Sequence, residues 1–281
     1  MTQPLTLDSV TTRSVDGLDI RVADSGQSRP VILLMTSPWP ESLFAFRKIW
    51  GALAPLARLV AIDLPGFGHS QARVELFDPP AMAEFVETLI TDMGLDRPHV
   101  FGPDVGTSTA LFLAASHPGS VSSVIVGSGG ASYPLRVAGA LADIIGLDDI
   151  DALRDQDIRA TIGVSLEPAA SSSDEPEIWE DYVSAYENGR FAESARFVRN
   201  YPTALARLGP LLPAIDTPAL IVNATQDPLV PPENGEYLHQ RLRRGRLVTV
   251  DAPHYGWEVE STAYAHHIAD WITGGSASAG S

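Results

Sequence analysis

Three side chains in this sequence are of the types that carry out nucleophilic hydrolysis, namely Asp104, Asp227 and His254. Asp104 is the central residue of Gly-Pro-Asp-Val-Gly at positions 102–106, between a short apolar run and an Ala/Leu-rich segment. A Gly-x-nucleophile-x-Gly motif between a strand and a helix is typical of a sharp turn that exposes its central side chain. Asp is also a favoured N-terminal cap of a helix, so the motif by itself leaves both interpretations open.

A carboxylate nucleophile favours particular substrates. Asp has a reference pKa near ~4 and is already ionised at neutral pH, whereas Ser needs a base to become nucleophilic. Attack by Asp104 on an ester would form a reactive anhydride, whereas attack on a saturated carbon forms an ordinary ester. The residue therefore favours substrates with an electrophilic sp3 carbon, such as epoxides or alkyl halides.

The segments around these residues predict an α/β fold with a mostly parallel, eight-stranded sheet. Continuous apolar runs such as residues 31–35 and 58–64 are typical of strands buried on both faces. The remaining strands are predicted at residues 10–13 and 19–23, which form an antiparallel hairpin, before the motif at 102–106, and at 121–126, 218–223 and 247–250. Helical segments alternate with the strands and predict right-handed crossovers; they lie at 42–56, 81–93, after Asp104, and at 233–242 and 257–272.

The positions of Asp227 and His254 support the catalytic interpretation of Asp104. Each of the two follows directly after a predicted strand. The carboxyl ends of strands in an open parallel sheet meet at one edge, where ligands bind. Taken singly, His254 could be a surface histidine and Asp227 a turn residue before Pro228. Three such placements together favour a common site over a helix cap.

The alternation of strands and helices stops in the middle of the chain. Residues 130–212 contain helical segments and an acidic patch at 171–177, and they are predicted to form a helical lid. The core is then divided into a first part at 1–129 and a second part at 213–273. Residues 274–281 are small and polar, which predicts a disordered tail.

On these motifs the sequence resembles the aspartate-nucleophile branch of the α/β-hydrolases, which includes epoxide hydrolases, haloalkane dehalogenases and fluoroacetate dehalogenases. The resemblance extends from about residue 8 to 272; besides the motif around Asp104 it includes Asp-Leu-Pro-Gly-Phe-Gly-His-Ser at 63–70 and Pro-Glu-Ser at 40–42. It implies the α/β-hydrolase fold, Asp104 as nucleophile, His254 as base and Asp227 as the acid that orients His254. His254 would then draw a proton from the water that hydrolyses the ester on Asp104.

Hydrolysis of that ester builds negative charge on a carboxyl oxygen of Asp104, and backbone N–H groups should stabilise it. The N–H of Val105, at the start of the predicted helix, is one expected donor. The family's other donor lies in a His-Gly-x-Pro motif, and here the aligned residues are Ser-Pro-Trp-Pro at 37–40. The resemblance therefore implies Trp39 as the second oxyanion donor.

The leaving group distinguishes the possible activities. Epoxide hydrolases use lid tyrosines to protonate the opening oxygen, and Val198 occupies the position of the family's second one. The lid candidates here are Tyr133, Tyr182, Tyr186 and Tyr201. Trp39, Tyr133 and Tyr201 are predicted to bind the substrate, although the rings of the lid tyrosines are equally compatible with packing the lid onto the core.

Dehalogenases need donors for the halide or for a substrate carboxylate. Haloalkane dehalogenases carry Trp directly after the nucleophile, where this chain has Val105, and residues 105–109 lack the Arg that fluoroacetate dehalogenases use. Epoxide hydrolysis is therefore the first expectation and dehalogenation the second. A member that only binds a small ligand, with Asp104 inert, and a biosynthetic member that catalyses a cyclisation are further alternatives.

Composition excludes several classes of partner. Asp and Glu outnumber Lys and Arg by 35 to 19, and the resulting charge of -16 argues against nucleic acids and anionic membranes as partners. The chain has no Cys, no run as long as a membrane span and no recognisable signal peptide, so a cytoplasmic location is expected. His266 and His267 lack a ligand-spaced partner, and neither metal nor cofactor is expected. The expected partner is a small-molecule substrate, with a monomer and a homodimer both possible.

Overall fold

One eight-stranded sheet organises the computed structural model, which describes residues 4–26, 28–166 and 175–276. The strands are β1 Val10–Val15, β2 Leu18–Asp24, β3 Ile32–Thr36, β4 Arg58–Ile62, β5 His99–Pro103, β6 Ser123–Gly127, β7 Ala219–Ala224 and β8 Gly245–Val250. Their order across the sheet is β1-β2-β4-β3-β5-β6-β7-β8. β2 pairs antiparallel with both β1 and β4, and every other neighbouring pair is parallel. The predicted mostly parallel α/β sheet is confirmed.

Burial along the strands follows the sequence pattern. Every residue of β3, β5 and β7 is buried, as continuous apolar runs predict for strands covered by helices on both faces. β1, at the edge of the sheet, is mostly exposed and carries four consecutive polar residues, Thr11 to Ser14. The core therefore lies in the parallel central strands. Asp104 follows β5 and Asp227 follows β7, whereas His254 follows β8 at the edge of the sheet opposite β1.

The helices lie between the strands in the order that the sequence predicts. They are α1 Arg47–Leu53, α2 Pro79–Asp92, α3 Val105–Ser116, α4 Gly139–Gly146, α5 Ile158–Leu166, α6 Pro176–Tyr186, α7 Arg190–Arg199, α8 Tyr201–Leu208, α9 Glu233–His239, α10 Gly256–Val259 and α11 Ser261–Asp270. The helix predicted at 42–56 begins as a 3-10 helix, Leu43–Phe46, in which Ser42 caps the N–H of Phe44. The helix predicted at 257–272 is divided at Glu260, whose φ of -112° and ψ of 44° are not helical.

The segment between β6 and β7 contains helices α4 to α8 and no strand in its described residues. The predicted acidic patch at 171–177 falls partly outside the described residues, because only its positions 175–177 are included, at the start of α6. The tail predicted to be disordered from residue 274 begins inside a π-helical turn, Trp271–Gly275, and its residues 277–281 lie outside the described residues. Among the helices described, none combines the length and the apolar composition that crossing a bilayer requires.

Buried polar contacts hold two helices of the segment predicted as the lid, α6 and α7, on the core. Asp181 of α6 accepts hydrogen bonds from Arg21 of β2 and from the hydroxyl of Ser42. Arg190 of α7 donates to the carbonyl oxygens of Gly68 and Ser70. These contacts fix α6 and α7 above the carboxyl ends of the central strands.

Candidate active site

Asp104 lies in a strained turn between β5 and α3. Its φ of 50° and ψ of -120° are unusual for a residue with a side chain, and such strain persists only where the surroundings enforce it. The N–H of Asp104 donates to the carbonyl of Gly127 at 3.0 Å, and its own carbonyl accepts from the N–H of Thr107 at 2.9 Å. The hydroxyl of Thr107 also contacts the carbonyl oxygens of Gly102 and Gly127. The turn is therefore tied to both β5 and β6.

The flanking glycines permit close packing within this turn. A Cβ at Gly102 would lie 2.5 Å from the backbone oxygen of Gly106, and a Cβ at Gly106 would overlap the hydroxyl of Thr36. The unusual backbone angles belong to Asp104 itself, while the glycines supply space. The motif at 102–106 is thus a tight strand-to-helix turn in which Asp104 also occupies the helix cap position without making a side-chain capping bond.

The carboxylate of Asp104 lies beside two backbone N–H groups. The N–H of Trp39 donates to Oδ2 at 2.7 Å, and the N–H of the adjacent Val105 lowers the pKa of the carboxyl group. Burial raises the pKa of Asp104 to about 6, against the charge of His254 and the two N–H donors, which lower it. The predicted oxyanion donors Trp39 and Val105 therefore lie against the predicted nucleophile, where they can stabilise negative charge on its oxygens.

His254 and Asp227 form a buried pair beside Asp104. Nδ1 of His254 lies 3.0 and 2.9 Å from the two carboxylate oxygens of Asp227. Oδ1 of Asp227 in turn accepts from the backbone N–H groups of Leu229 and Val230, both at 2.9 Å. These bonds hold the ring with Nδ1 towards Asp227 and Nε2 towards Asp104, the orientation that a general base needs.

The charges of this pair shift both pKa values. Burial raises the pKa of Asp227, but the charge and hydrogen bond of His254 and the N–H donors outweigh it, so the pKa is lowered. Burial lowers the pKa of His254, but the carboxylates of Asp227 and Asp104 outweigh it, so the pKa is raised. Nε2 of His254 lies 3.7 Å from Oδ1 of Asp104, close enough to reach a water that attacks the carboxyl carbon of Asp104.

A small cleft opens onto this triad. Its inner cavity, of about 40 Å³, is lined by Trp39, Pro40, Asp104, Ala140, Leu141, Ile144, Ser165, Leu229, His254 and Tyr255. An outer cavity of about 220 Å³ shares Ala140, Ser165, Leu229, His254 and Tyr255 with it and adds Val164, Pro228 and Pro253. Larger surface depressions of about 380 and 420 Å³ contain none of the triad residues. Asp104 and His254 therefore face a narrow cleft with largely apolar walls.

The other predicted substrate-binding residues occupy different places. Trp39 lines the inner cavity, but its indole N–H is donated to the hydroxyl of Ser194 at 2.8 Å. Tyr133 is 50% exposed and lines neither cavity of the cleft; its Cβ lies near Gly209. Tyr201 is buried against Gly130, close enough for the charge of Asp104 to raise its pKa further after burial, and it also lines neither cavity.

Tyr255 is the residue at the cleft that the sequence did not single out. It is buried, lines both cavities and meets the ring of His254 edge to face, with the ring centroids 4.8 Å apart. Its position directly after His254 was the available signal. Local sequence patterns also do not predict that Ala140 and Leu141 of α4 line the cleft, because this depends on how the predicted lid packs on the core. Among the described residues, no group of three or more His, Asp or Glu side chains is placed to hold a metal ion.

Comparisons with known proteins give a consistent fold. The family model for the alpha/beta hydrolase fold matches residues 32–260. Pimeloyl-[acyl-carrier protein] methyl ester esterase of Neisseria meningitidis serogroup B is 29% identical over 258 residues, which cover 84% of this chain and 91% of the relative. Soluble epoxide hydrolase of Corynebacterium sp. strain C12 is 33% identical over 100 residues, or 36% of this chain and 34% of that protein. The crystal structure of Cfl2 from Burkholderia cenocepacia superposes with a TM-score of 0.81 at 21% identity, covering 94% and 95% of the two chains.

Proposed function

Because this chain belongs to the alpha/beta hydrolase fold family, we propose that it hydrolyses a small apolar electrophile, in first place an epoxide, through an ester on Asp104. At the level of reaction class the chain is a hydrolase of the α/β fold. The single observation that carries the finer proposal is the environment of Asp104: a carboxylate at a strained turn, bonded to the N–H of Trp39 and with Nε2 of His254 at 3.7 Å.

A relative that aligns over most of the chain is named an esterase, yet the residue at the turn here is Asp. Attack of a carboxylate on an ester carbonyl would give a reactive anhydride, which is a poor intermediate. Attack on a saturated carbon gives a stable alkyl ester that water can then cleave. The side chain of Asp104 thus favours an alkylating substrate over a carboxylic ester.

The proposed reaction has two steps. An oxygen of Asp104 attacks an epoxide carbon, the ring C–O bond breaks, and its electron pair moves to the oxygen, which takes up a proton. Water then attacks the carboxyl carbon of Asp104 and gives one proton to Nε2 of His254, while the N–H groups of Trp39 and Val105 bond the developing oxyanion. When the tetrahedral intermediate collapses, His254 returns that proton to the departing diol oxygen. The second proton of the water leaves to solvent and balances the proton that the epoxide oxygen took up, so Asp104 is a carboxylate again.

The cleft limits the substrate. The inner cavity beside Asp104, of about 40 Å³, accommodates only a few atoms at the reacting carbon. The outer cavity, of about 220 Å³, is lined by apolar groups such as Val164, Pro228 and Leu229. A slim epoxide with an apolar substituent, such as styrene oxide or epoxyhexane, fits this arrangement.

Dehalogenation is less well supported. Halide release needs free N–H donors near the reacting carbon, and the indole N–H of Trp39 already bonds Ser194 at 2.8 Å. Val105, directly after the nucleophile, has no polar side-chain atom to offer. An epoxide oxygen needs instead one proton donor, which a hydroxyl at the cleft can supply.

A single-turnover experiment in heavy-oxygen water tests the proposal. With styrene oxide and epoxyhexane as substrates, the first diol formed should carry unlabelled oxygen from Asp104. His254→Gln should accumulate a covalent adduct, visible by intact mass, at the mass of protein plus epoxide. The double variant that also carries Asp104→Ala serves as the control and should form none.

Other outcomes separate the alternatives. Bromide released from bromobutane, without turnover of either epoxide, would support dehalogenation. An absence of adduct in His254→Gln with both classes of substrate would overturn the proposal and favour a protein that only binds its ligand. Labelled oxygen in the first-turnover diol would point to direct attack by water.

A further inference from the structure

Opening an epoxide leaves an alkoxide that needs a proton, and the lid tyrosines are poorly placed to supply it. The hydroxyl of Tyr182 donates to Glu258 at 2.9 Å, and that of Tyr186 donates to the carbonyl of Glu41 at 2.7 Å. Tyr133 is half exposed, and Tyr201 packs against Gly130. None of the four lines the cleft that contains Asp104.

Tyr255 differs from these residues in its position. It follows His254 in the loop after β8, so it belongs to the core and not to the lid. It lines the inner cavity together with Asp104 and His254, and it also lines the outer cavity through which the substrate would enter. No hydrogen bond ties its hydroxyl to another residue in the described part of the chain. Its phenol is therefore the one tyrosine hydroxyl among the described residues that combines contact with the cleft and a free donor.

We infer that Tyr255 is the general acid of this enzyme and protonates the oxygen of the opening epoxide. This inference rests on the function proposed above. As an oxygen of Asp104 bonds to the epoxide carbon, the ring C–O bond breaks and the phenol proton of Tyr255 moves to the freed oxygen. The resulting phenolate is reprotonated through solvent by the second proton of the water that hydrolyses the ester, so protons balance over one turnover.

The surroundings keep this phenol protonated until it is used. Burial raises the pKa of Tyr255 well above its ordinary value, and the charges of Glu41 and Asp104 raise it further. The phenol is thus neutral at neutral pH, where Asp104 is ionised. The edge-to-face contact with His254, at 4.8 Å between centroids, and a second one with Trp257 at 5.8 Å fix the direction of the ring.

The test separates ester formation from ester hydrolysis. In the His254→Gln background the rate constant for adduct formation with styrene oxide is measured by rapid quench and intact mass, with and without Tyr255→Phe. Loss of a general acid should slow adduct formation by about 10²–10³-fold. In a protein carrying Tyr255→Phe alone, no adduct should accumulate during turnover, because ester formation is slowed while ester hydrolysis keeps its rate; accumulation of adduct would show that hydrolysis is slowed as well, as a merely structural role predicts.

Tyr264→Phe is the matched control. Tyr264 is a buried tyrosine of α11 whose ring contacts Trp257 behind the same loop, at 6.4 Å between centroids, and it lines neither cavity of the cleft. In the His254→Gln background, Tyr264→Phe should leave the rate constant for adduct formation within about twofold of its value with Tyr264 present.

Three results would overturn the inference. Adduct formation at an unchanged rate in Tyr255→Phe would overturn only the role of Tyr255 as general acid and leave the ester mechanism intact. Slow adduct formation in Tyr201→Phe, with Tyr255→Phe unaffected, would assign the acid to the lid. A failure of His254→Gln to form any adduct, with Tyr255 present, would overturn the proposed function and this assignment with it.

Discussion

Replacing Asp181 with Asn tests how far one buried contact between lid and core stabilises the protein. The carboxylate accepts hydrogen bonds from Arg21 at 2.5 and 3.0 Å and from the hydroxyl of Ser42 at 2.6 Å. It is only 7% exposed, so solvent screens these interactions little. Asn keeps the shape of the side chain and removes its charge.

The expected loss follows from the pKa of this group. Burial raises the pKa of Asp181, but the hydrogen bonds and charges of His69 and Arg21 outweigh it and lower the pKa from 3.8 to about 2. Because one pKa unit corresponds to ~1.4 kcal/mol, the folded state favours the ionised form by about 2 kcal/mol. The folded pKa is depressed, so this stabilisation is present above 3.8 and is lost as the pH falls through about 2. At neutral pH, Asp181→Asn should therefore lower the free energy of unfolding by about 2 kcal/mol.

Urea denaturation at neutral pH, followed by tryptophan fluorescence and by circular dichroism, measures this loss. Glu180 provides the control, since it neighbours Asp181 in α6 and pairs with Arg159 through two hydrogen bonds of 2.8 Å. Both of those side chains are more than half exposed, so Glu180→Gln should leave the unfolding midpoint unchanged within error. Equal losses in the two variants would refute the reasoning that burial gives the pair at Asp181 its strength.

Two further predictions concern the triad. In Asp227→Asn the amide would place an N–H against Nδ1 of His254, favouring the tautomer with the proton on Nε2, so ester hydrolysis should slow by about 10³–10⁴-fold while the ester on Asp104 still forms. Intact mass during turnover should then show an accumulating adduct, and its absence despite residual turnover would contradict the role of His254 as base. The second prediction uses the pKa of Asp104, which burial raises to about 6. The rate constant for ester formation, measured by rapid quench against pH, should be level above this value and fall tenfold per unit below it, and an acid limb near pH ~4 would contradict the burial of the nucleophile.

The class of fold, and the fact that Asp104, Asp227 and His254 lie together, could be predicted from the sequence. Apolar runs long enough for strands buried on both faces specify the central sheet, since each run must be covered by helices. A parallel sheet brings the carboxyl ends of its strands to one edge, so Asp104, Asp227 and His254 meet there whatever the details of packing. The glycines at 102 and 106 mark the tight turn locally, because a Cβ at either position would overlap its neighbours.

Details of helix geometry followed the sequence less closely. The segment predicted as one helix at 42–56 begins as a 3-10 turn, and the last predicted helix is divided at Glu260. Local spacing of apolar residues cannot distinguish a 3-10 turn from the first turn of an α-helix. A change of ψ at a single residue, as at Glu260, likewise leaves the spacing of apolar residues intact.

The composition of the cleft was decided only by the tertiary structure. Which tyrosine reaches the substrate depends on how the lid helices lie on the core, and that is set by contacts between residues far apart in the chain. Trp39 illustrates this, because its indole N–H is engaged by Ser194, a partner 155 positions away. Tyr133 and Tyr201 lie away from the cleft for the same reason, whereas Tyr255 lines it. A periodic pattern records which face of an element is buried, but the partner across that face is fixed by packing of the whole chain.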